Sequence, residues 1–496
     1  MKIKKITVGV TALTLLFTGC GSSAETTPET LSTNTADSAA LSDEDVFAEL
    51  MEEVKTRNQS IDAPVDGLEQ FKYDFDQGGP LLTESEWDGD SSNCPEISPS
   101  VLTLEDAKSD ADYLFRLLRT YYGLYTWFGG DETFGKSEEQ ILAYLENREE
   151  IPLQEYISLL QESLDFINDG HFNLEGRQFL NRQYLYCDES ILFQKQGGNF
   201  YWEGRRLTGV DGAEPYRYVK RALGPEGELT WKLYVPGAYD TSLRVDLAFD
   251  EETQTLELPR TIDTKYSIGK STSPFLMQER EGVLMIQMDQ MTFGPEDGVS
   301  DELTGDGKSE ADFVASAKSA LDYSAAVVNL TKNGGGNGDL PRRWFHAFTG
   351  VEAVPNYCTL GIAPFGWKPR GDEKQEGMYR VSRPASQFIE RDAEPYLIVL
   401  TSKETGSSAE IFTDLAHNLD KTLVIGSNTD GVLTGSQTWF EICLPLSGIK
   451  LAWGADLLYW PSDYFQEGIG LEPDVYLTGT NQSQRVAKFL KRYLTS

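Results

Sequence analysis

Four short apolar runs, Val283–Met288, Ala325–Leu330, Tyr396–Leu400 and Leu423–Ile425, alternate with stretches that fit helices at 309–322, 339–348 and 408–418. Apolar runs this short, without polar alternation, read as strands covered on both faces, and the intervening helices supply the cover. The spacing therefore predicts an α/β core over 276–480, closed by a C-terminal helix over 481–496 with Val486, Phe489, Leu490, Tyr493 and Leu494 on one face. Phe440–Trp453 returns to strand within that core.

The first half of the chain has a different texture. Thr103-Leu-Glu-Asp106 has the form of a capping box, with Asp in the Glu place. Leu104, Ala107, Ala111, Leu114, Leu118 and Tyr121 then share one helical face, and Gly123 is a plausible stop. A second helix fits 137–148. A third follows Pro152, carries Tyr156, Leu160, Leu164 and Ile167, and ends at Asn168-Asp169-Gly170. A helical domain is thus expected over 101–175. From 176 to 275, Phe200-Tyr-Trp, Leu229–Val235 and Leu243–Phe249 alternate like strands between turn residues, as a β-rich insert. Residues 61–100 are irregular and acidic, preceded by one helical candidate, Glu44–Lys55.

The N-terminus bears on location. Lys2, Lys4 and Lys5 precede an apolar stretch that ends in Leu15-Leu-Phe-Thr-Gly-Cys20, the layout of a secretory signal. A Cys directly after small residues resembles the lipobox of bacterial lipoproteins, although Phe17 is an uncommon residue there. The resemblance implies a signal over 1–20, lipid attached at Cys20, and an extracytoplasmic chain anchored to the bacterial cell membrane. Residues 21–60 then read as a tether, since 21–45 has almost no large apolar side chains to bury. A net charge of −36 argues against nucleic acid and against electrostatic attachment to anionic lipid. Cys94, Cys187, Cys358 and Cys443 allow three full pairings, with nothing to choose among them or free thiols. There is no CxxC or His–Cys cluster, so no metal and no cofactor are expected. The oligomeric state is left open.

Ser407 carries the most chemistry. It follows the strand Tyr396–Leu400 in Thr405-Gly-Ser-Ser-Ala-Glu-Ile-Phe412, so its hydroxyl stands at a helix N-terminus, where free N–H groups favour developing negative charge. A simple helix cap is the alternative reading. A nucleophilic serine needs a base, and the chain has three histidines. His417 lies ten residues along the helix that Ser407 opens, roughly 15 Å away. His346 reads as a packed or surface residue on the helix after the glycine run. His171 follows Gly170, just past a helix C-terminus, where the dipole stabilises imidazolium. Asn333-Gly-Gly-Gly-Asn-Gly338 follows a strand and offers backbone N–H groups to an oxyanion, or is a plain turn; it lacks the GK[ST] of a phosphate loop. Glu467 in Glu467-Gly-Ile-Gly-Leu-Glu-Pro-Asp474 is either the acid of a triad or part of a surface turn.

In this order the segments resemble the tail-specific, or C-terminal processing, serine peptidases. Asp169-Gly170-His171 stands for the element that closes their helical domain. Val327–Gly336 is similar to their D-L-R-x-N-x-G-G strand and loop, with Asn329 for Asp and Thr331 for Arg. Ser407-Ser-Ala-Glu410, Gly426-Ser-Asn-Thr-Asp-Gly431 and Gly470-Leu-Glu-Pro-Asp474 match the nucleophile turn, the G-x-x-T-x-G and the closing G-v-x-P-D. In one branch a lysine follows the second glycine of G-x-x-T-x-G. Here Val432 stands in that place, and Lys421 and Lys450 lie outside the motif. The chain thus resembles the tricorn-like branch, with a histidine base and an assisting carboxylate.

The resemblance implies an α/β multi-domain fold with a crotonase-like peptidase core. It also implies a nucleophile Ser407, a base His171, an acid Glu467, and an oxyanion hole from the N–H groups of Gly335 and Ser408. Arg206–Pro215 makes the insert resemble a PDZ-type domain, which binds peptide ends along a sheet edge. The expected activity is endoproteolysis of unfolded or tail-marked proteins through an acyl-enzyme. Two rivals remain, a non-catalytic peptide-binding lipoprotein of the same fold and a solute- or glycan-binding lipoprotein, and a serine hydrolase of another substrate class is the alternative within the enzyme reading. A solute-binding lipoprotein whose serine is only a cap would hold Ser407 and His171 more than about 10 Å apart.

Overall fold

The alternating runs of the second half assemble into one eight-stranded sheet in a computed structural model that describes residues 42–62, 66–83, 86, 94, 99–267, 275–293, 309–362, 374–385, 387–392, 394–435 and 439–494. Its order is Leu229–Leu233, Val219–Leu223, Val475–Tyr476, Thr422–Gly426, Tyr396–Thr401, Ala325–Asn329, Val283–Met288, Phe275–Arg280. The six inner strands are parallel, and each edge strand is an antiparallel hairpin partner.

Side-chain alternation explains why the inner strands read as unbroken apolar runs. Ala326, Val328, Leu397, Val399 and Val424 face one way, against Phe313, Trp344 and Phe412 of the helices Glu310–Ala320, Asp339–Thr349 and Ser408–His417. Ala325, Val327, Ile398, Leu400, Leu423 and Ile425 face the other way. There they meet Phe47, Leu50 and Val54 of the helix Asp43–Gln59, and Val486, Phe489 and Leu490 of the helix Gln482–Tyr493. Both faces are dry, so neither needs a polar residue.

Helices Leu104–Tyr121, Gly130–Leu145 and Leu153–Ser163 form the helical segment. The second starts seven residues before the expected 137, because Gly129 takes a left-handed conformation that lets the chain turn straight into Gly130. The third stops at Ser163, short of the expected 168, and residues Asp169–Leu174 form a strand. That strand pairs with Lys450–Gly454, which pairs with Trp439–Cys443. Helical segment and C-terminal strands share one core, in which Leu114, Leu118 and Tyr156 meet Trp453, Leu451 and Leu360.

The insert divides. Gln194–Gln196, Asn199–Trp202, Arg205–Val210, Ser242–Phe249 and Thr253–Pro259 make a five-stranded antiparallel sheet. Val219–Leu223 and Leu229–Leu233 leave it and extend the central sheet. Cys94 is disulfide-bonded to Cys443, while Cys187 and Cys358 are buried free thiols. Cys20, the signal and most of the tether lie outside the described residues.

Candidate active site

Ser407 sits where the strand Tyr396–Thr401 hands over to the helix Ser408–His417. Its φ of 51° and ψ of −119° are unusual for a residue with a Cβ, a conformation that costs on the order of 1–3 kcal/mol and lifts the side chain off the turn. Two contacts hold it there. The N–H of Gly406 donates to the carbonyl of Asn333 at 2.9 Å, tying the turn to the glycine loop. The N–H of Ser407 donates to Glu410 Oε2 at 2.9 Å. Glu410, fully buried, also accepts the Thr429 hydroxyl at 2.6 Å and the N–H groups of Gly431 and Val432 at 2.8 and 3.0 Å. Burial lifts its carboxyl to about 7 in spite of these donors.

His171 Nε2 lies 3.2 Å from Ser407 Oγ, across 236 residues of sequence. The ring is brought there by the strand Asp169–Leu174, so the expected help from a helix C-terminus does not apply, the preceding helix having ended at Ser163. Instead Asp169 lies two residues before it. Its Oδ1 accepts the His171 N–H at 2.8 Å, and its Oδ2 accepts the Tyr122 hydroxyl at 2.9 Å. Burial pulls the His171 pKa below its ordinary 6.5, with the charges of Asp169 and Asp430 resisting. The imidazole is therefore neutral at pH 7 and able to take a proton.

Glu467 reaches the site through the backbone. Its Oε1 accepts the N–H of Gly170 at 2.7 Å, and its Oε2 those of Leu433 and Thr434 at 3.1 and 2.8 Å. Its side chain also bonds that of Thr434, and through the Gly170 amide it fixes the peptide before His171. Burial first, then the charge of Asp169, push its carboxyl up to about 8. Val432, in the lysine place of the other branch, packs against Gly170: a Cβ on Gly170 would meet Val432 Cγ1 at 2.3 Å.

The two oxyanion candidates differ. Ser408 N–H opens the helix, with no intrahelical carbonyl to bind, beside Ser407. Gly335 packs on the same turn, where a Cβ would meet Ser407 Cβ at 2.7 Å. Its N–H donates to Asn333 Oδ1 at 2.9 Å. Asn329 and Thr331 bind each other, Thr331 Oγ1 donating to Asn329 Oδ1 at 2.8 Å, and Asn329 Nδ2 donates to the Tyr266 carbonyl at 3.0 Å.

The G-x-x-T-x-G and G-v-x-P-D segments close on each other, with Thr429 N–H bound to the Leu471 carbonyl at 3.1 Å and Leu471 N–H to Thr429 Oγ1 at 2.7 Å. His417 is buried against Tyr464, its Nδ1 2.9 Å from the hydroxyl, and His346 is exposed. Sequence reasoning named Asp169 and Glu410 only as motif letters and missed Tyr122, for which no spacing gives a signal.

Residues 283–477 match the model of peptidase family S41. That core belongs to the family, and the enzyme is a serine-type peptidase. No curated protein matches the sequence. Among solved structures, the chain is similar to mature CPAF at 15% identity and a TM-score of 0.40, over 78% of this chain and 95% of that one. It is similar to the photosystem II D1 C-terminal processing protease at 14% identity and 0.36, over 79% and 97%. A lipoprotein from Streptococcus agalactiae aligns at 12% identity and 0.36, over 80% and 98%.

Proposed function

We propose that this S41 peptidase is a secreted endopeptidase, anchored to the cell membrane through lipid on Cys20, that cuts unfolded or tail-marked proteins with Ser407, His171 and Glu467. The observation that carries the reading is the 3.2 Å approach of His171 Nε2 to Ser407 Oγ at a strained turn opening a helix. Nucleophile and base are within the reach that proton transfer needs, and the base is neutral.

In this mechanism His171 Nε2 takes the proton of Ser407 as Oγ attacks the peptide carbonyl. The oxyanion forms beside Ser408 N–H, and Gly335 N–H joins once substrate draws it from Asn333. Each such donor is worth about 10²–10³ in rate. His171 then protonates the leaving amine, and water releases the acyl group by the reverse proton path. Glu467 acts by holding Gly170 and so the approach of His171. The five-stranded sheet of the insert ends in Gln194–Gln196, an exposed edge suited to adding a peptide strand.

The test is incubation of residues 21–496, and of the Ser407→Ala variant, with an unfolded protein, followed by mass spectrometry of fragments. Fragments from the parent alone are expected. Fragments from both, or from neither with both folded, would overturn the assignment of Ser407.

A further inference from the structure

Lys403 lies four residues before Ser407 in the turn that leaves the strand Tyr396–Thr401. Its Nζ donates to the carbonyls of Thr429 and Asp430 at 2.9 and 3.0 Å and to those of Gly468 and Ile469 at 2.9 and 3.1 Å. Its own N–H donates to Asp263 Oδ2 at 2.8 Å, which fixes where the side chain starts.

The two carbonyl pairs belong to different halves of the site. Thr429 and Asp430 precede the Gly431 and Val432 amides that hold Glu410, and Glu410 holds the Ser407 N–H. Gly468 and Ile469 follow Glu467, which holds Gly170 next to His171. Asp430 is further held by a two-pronged contact from Arg182, at 2.7 and 2.9 Å, and its N–H donates to the Thr405 carbonyl at 2.7 Å. An ammonium has three protons and no acceptor, so four carbonyls around it require a shared proton and full protonation. We propose that Lys403 is a positioning residue for proteolysis, whose ammonium clamps the loop carrying Glu467 to the loop that holds the nucleophile turn. This role rests on the Ser407–His171 reading and extends it to a side chain that touches neither residue.

The charge state of the clamp gives it a signature. Carbonyl dipoles replace water poorly, so burial lowers the Lys403 pKa to about 8; Asp430, Glu410 and Asp263 oppose the fall and Arg182 adds to it. A neutral amine has only two protons to donate. The four-carbonyl clamp therefore opens as pH rises through that value, and the distance between the His171 and Ser407 halves is no longer fixed.

The experiment compares pH profiles of kcat and KM on a fluorogenic peptide for the full enzyme, Lys403→Arg and Lys403→Met, with Ser407→Ala as the blank. In the parent, kcat is expected to fall above about pH 8 while KM changes little. Lys403→Arg keeps its charge to higher pH, so its alkaline limb should move up by more than about one pH unit. Lys403→Met should lose at least tenfold in kcat at pH 7, with KM within about twofold and no alkaline limb of its own. An alkaline limb at the same midpoint in Lys403→Arg as in the parent overturns the clamp, and does so even if Lys403→Met fails to fold. Wild-type kcat in a folded Lys403→Met overturns it as well. Loss of the Ser407 blank's inactivity would instead sink the reading of the active site.

Discussion

Glu410 Oε2 accepts the backbone N–H of Ser407 at 2.9 Å, so the carboxylate three residues into the helix holds the strained residue that opens it. The same carboxyl takes the Thr429 hydroxyl and two backbone amides, and no water reaches it. In Glu410→Gln one acceptor oxygen becomes an NH₂ group facing donors. Leaving buried donors unmet costs on the order of 1–3 kcal/mol. The variant should melt several degrees lower and lose about 10²-fold in kcat as Ser407 relaxes toward ordinary φ. Wild-type kcat in a folded Glu410→Gln would show that the turn holds itself.

Gly170 is required by its neighbours rather than by its own backbone. A Cβ there would meet Val432 Cγ1 at 2.3 Å and Glu467 Oε1 at 3.2 Å. Gly170→Ala should therefore push His171 off Ser407 and cost about 1–3 kcal/mol as an overpacked site. Val432→Ala removes the Cγ1 contact at 2.3 Å and leaves the Val432 Cβ at 2.7 Å, so the relief is partial. The double variant Gly170→Ala/Val432→Ala should recover part of the lost kcat, giving a favourable coupling in a double-mutant cycle. Additive losses would mean that the clash is relieved elsewhere.

The acid limb of kcat/KM reports His171. Burial lowers its pKa, so activity should rise with pH through a midpoint below 6.5 and be level by pH 7. Asp169 opposes that lowering, and Asp169→Asn removes its charge. The midpoint of the variant should lie still lower on the pH axis. A midpoint above 6.5 in the parent, or an upward move in Asp169→Asn, contradicts His171 as the base.

Stability has its own pH sense. Glu410 and Glu467 have folded pKa values near 7 and 8, raised by burial from 4.5, so the native state holds more protons than the unfolded chain in that window. Stability from these groups therefore falls as pH rises. His171 and His417 are lowered, His417 to about 4, and they destabilise only below 6.5, where the unfolded chain takes up their protons. Lys403, lowered to about 8, pulls the other way only as pH nears that value, so the melting temperature should fall between about pH 6.5 and 7.5. A flat or rising trace there would mean that both are ionised at low cost.

Much of this was legible in the chain. Buried parallel strands leave continuous apolar runs, so the central sheet from Val283 to Ile425 could be read directly. Ser407 and His171 stood out because each falls in a segment whose neighbours have their own roles in the same order. What stayed hidden is what alternation and spacing do not encode. Nothing local says that Val219–Leu223 joins the peptidase sheet rather than the insert. Nothing in Thr401–Gly406 says that Lys403 folds toward carbonyls 26 and 66 residues away. Glu467 was readable as a candidate acid but not as a group that binds the backbone of Gly170.

The disulfide Cys94–Cys443 ties the acidic segment to the strand Trp439–Cys443, whose neighbour Lys450–Gly454 pairs with the strand of His171. It spans 349 residues, and closing so long a loop restricts the unfolded chain strongly. Cys443→Ser should lower stability by about 2–5 kcal/mol, seen as an earlier urea midpoint. The loosened sheet should also reduce kcat, while KM for a short peptide is kept. Cys187 and Cys358 are buried thiols in packed cores, so Cys187→Ala should shift the midpoint less and leave kcat alone. If reductant moves the midpoint of the parent but not that of Cys443→Ser, the bridge is the source of the difference. Equal shifts in both would assign the effect to another pair of thiols.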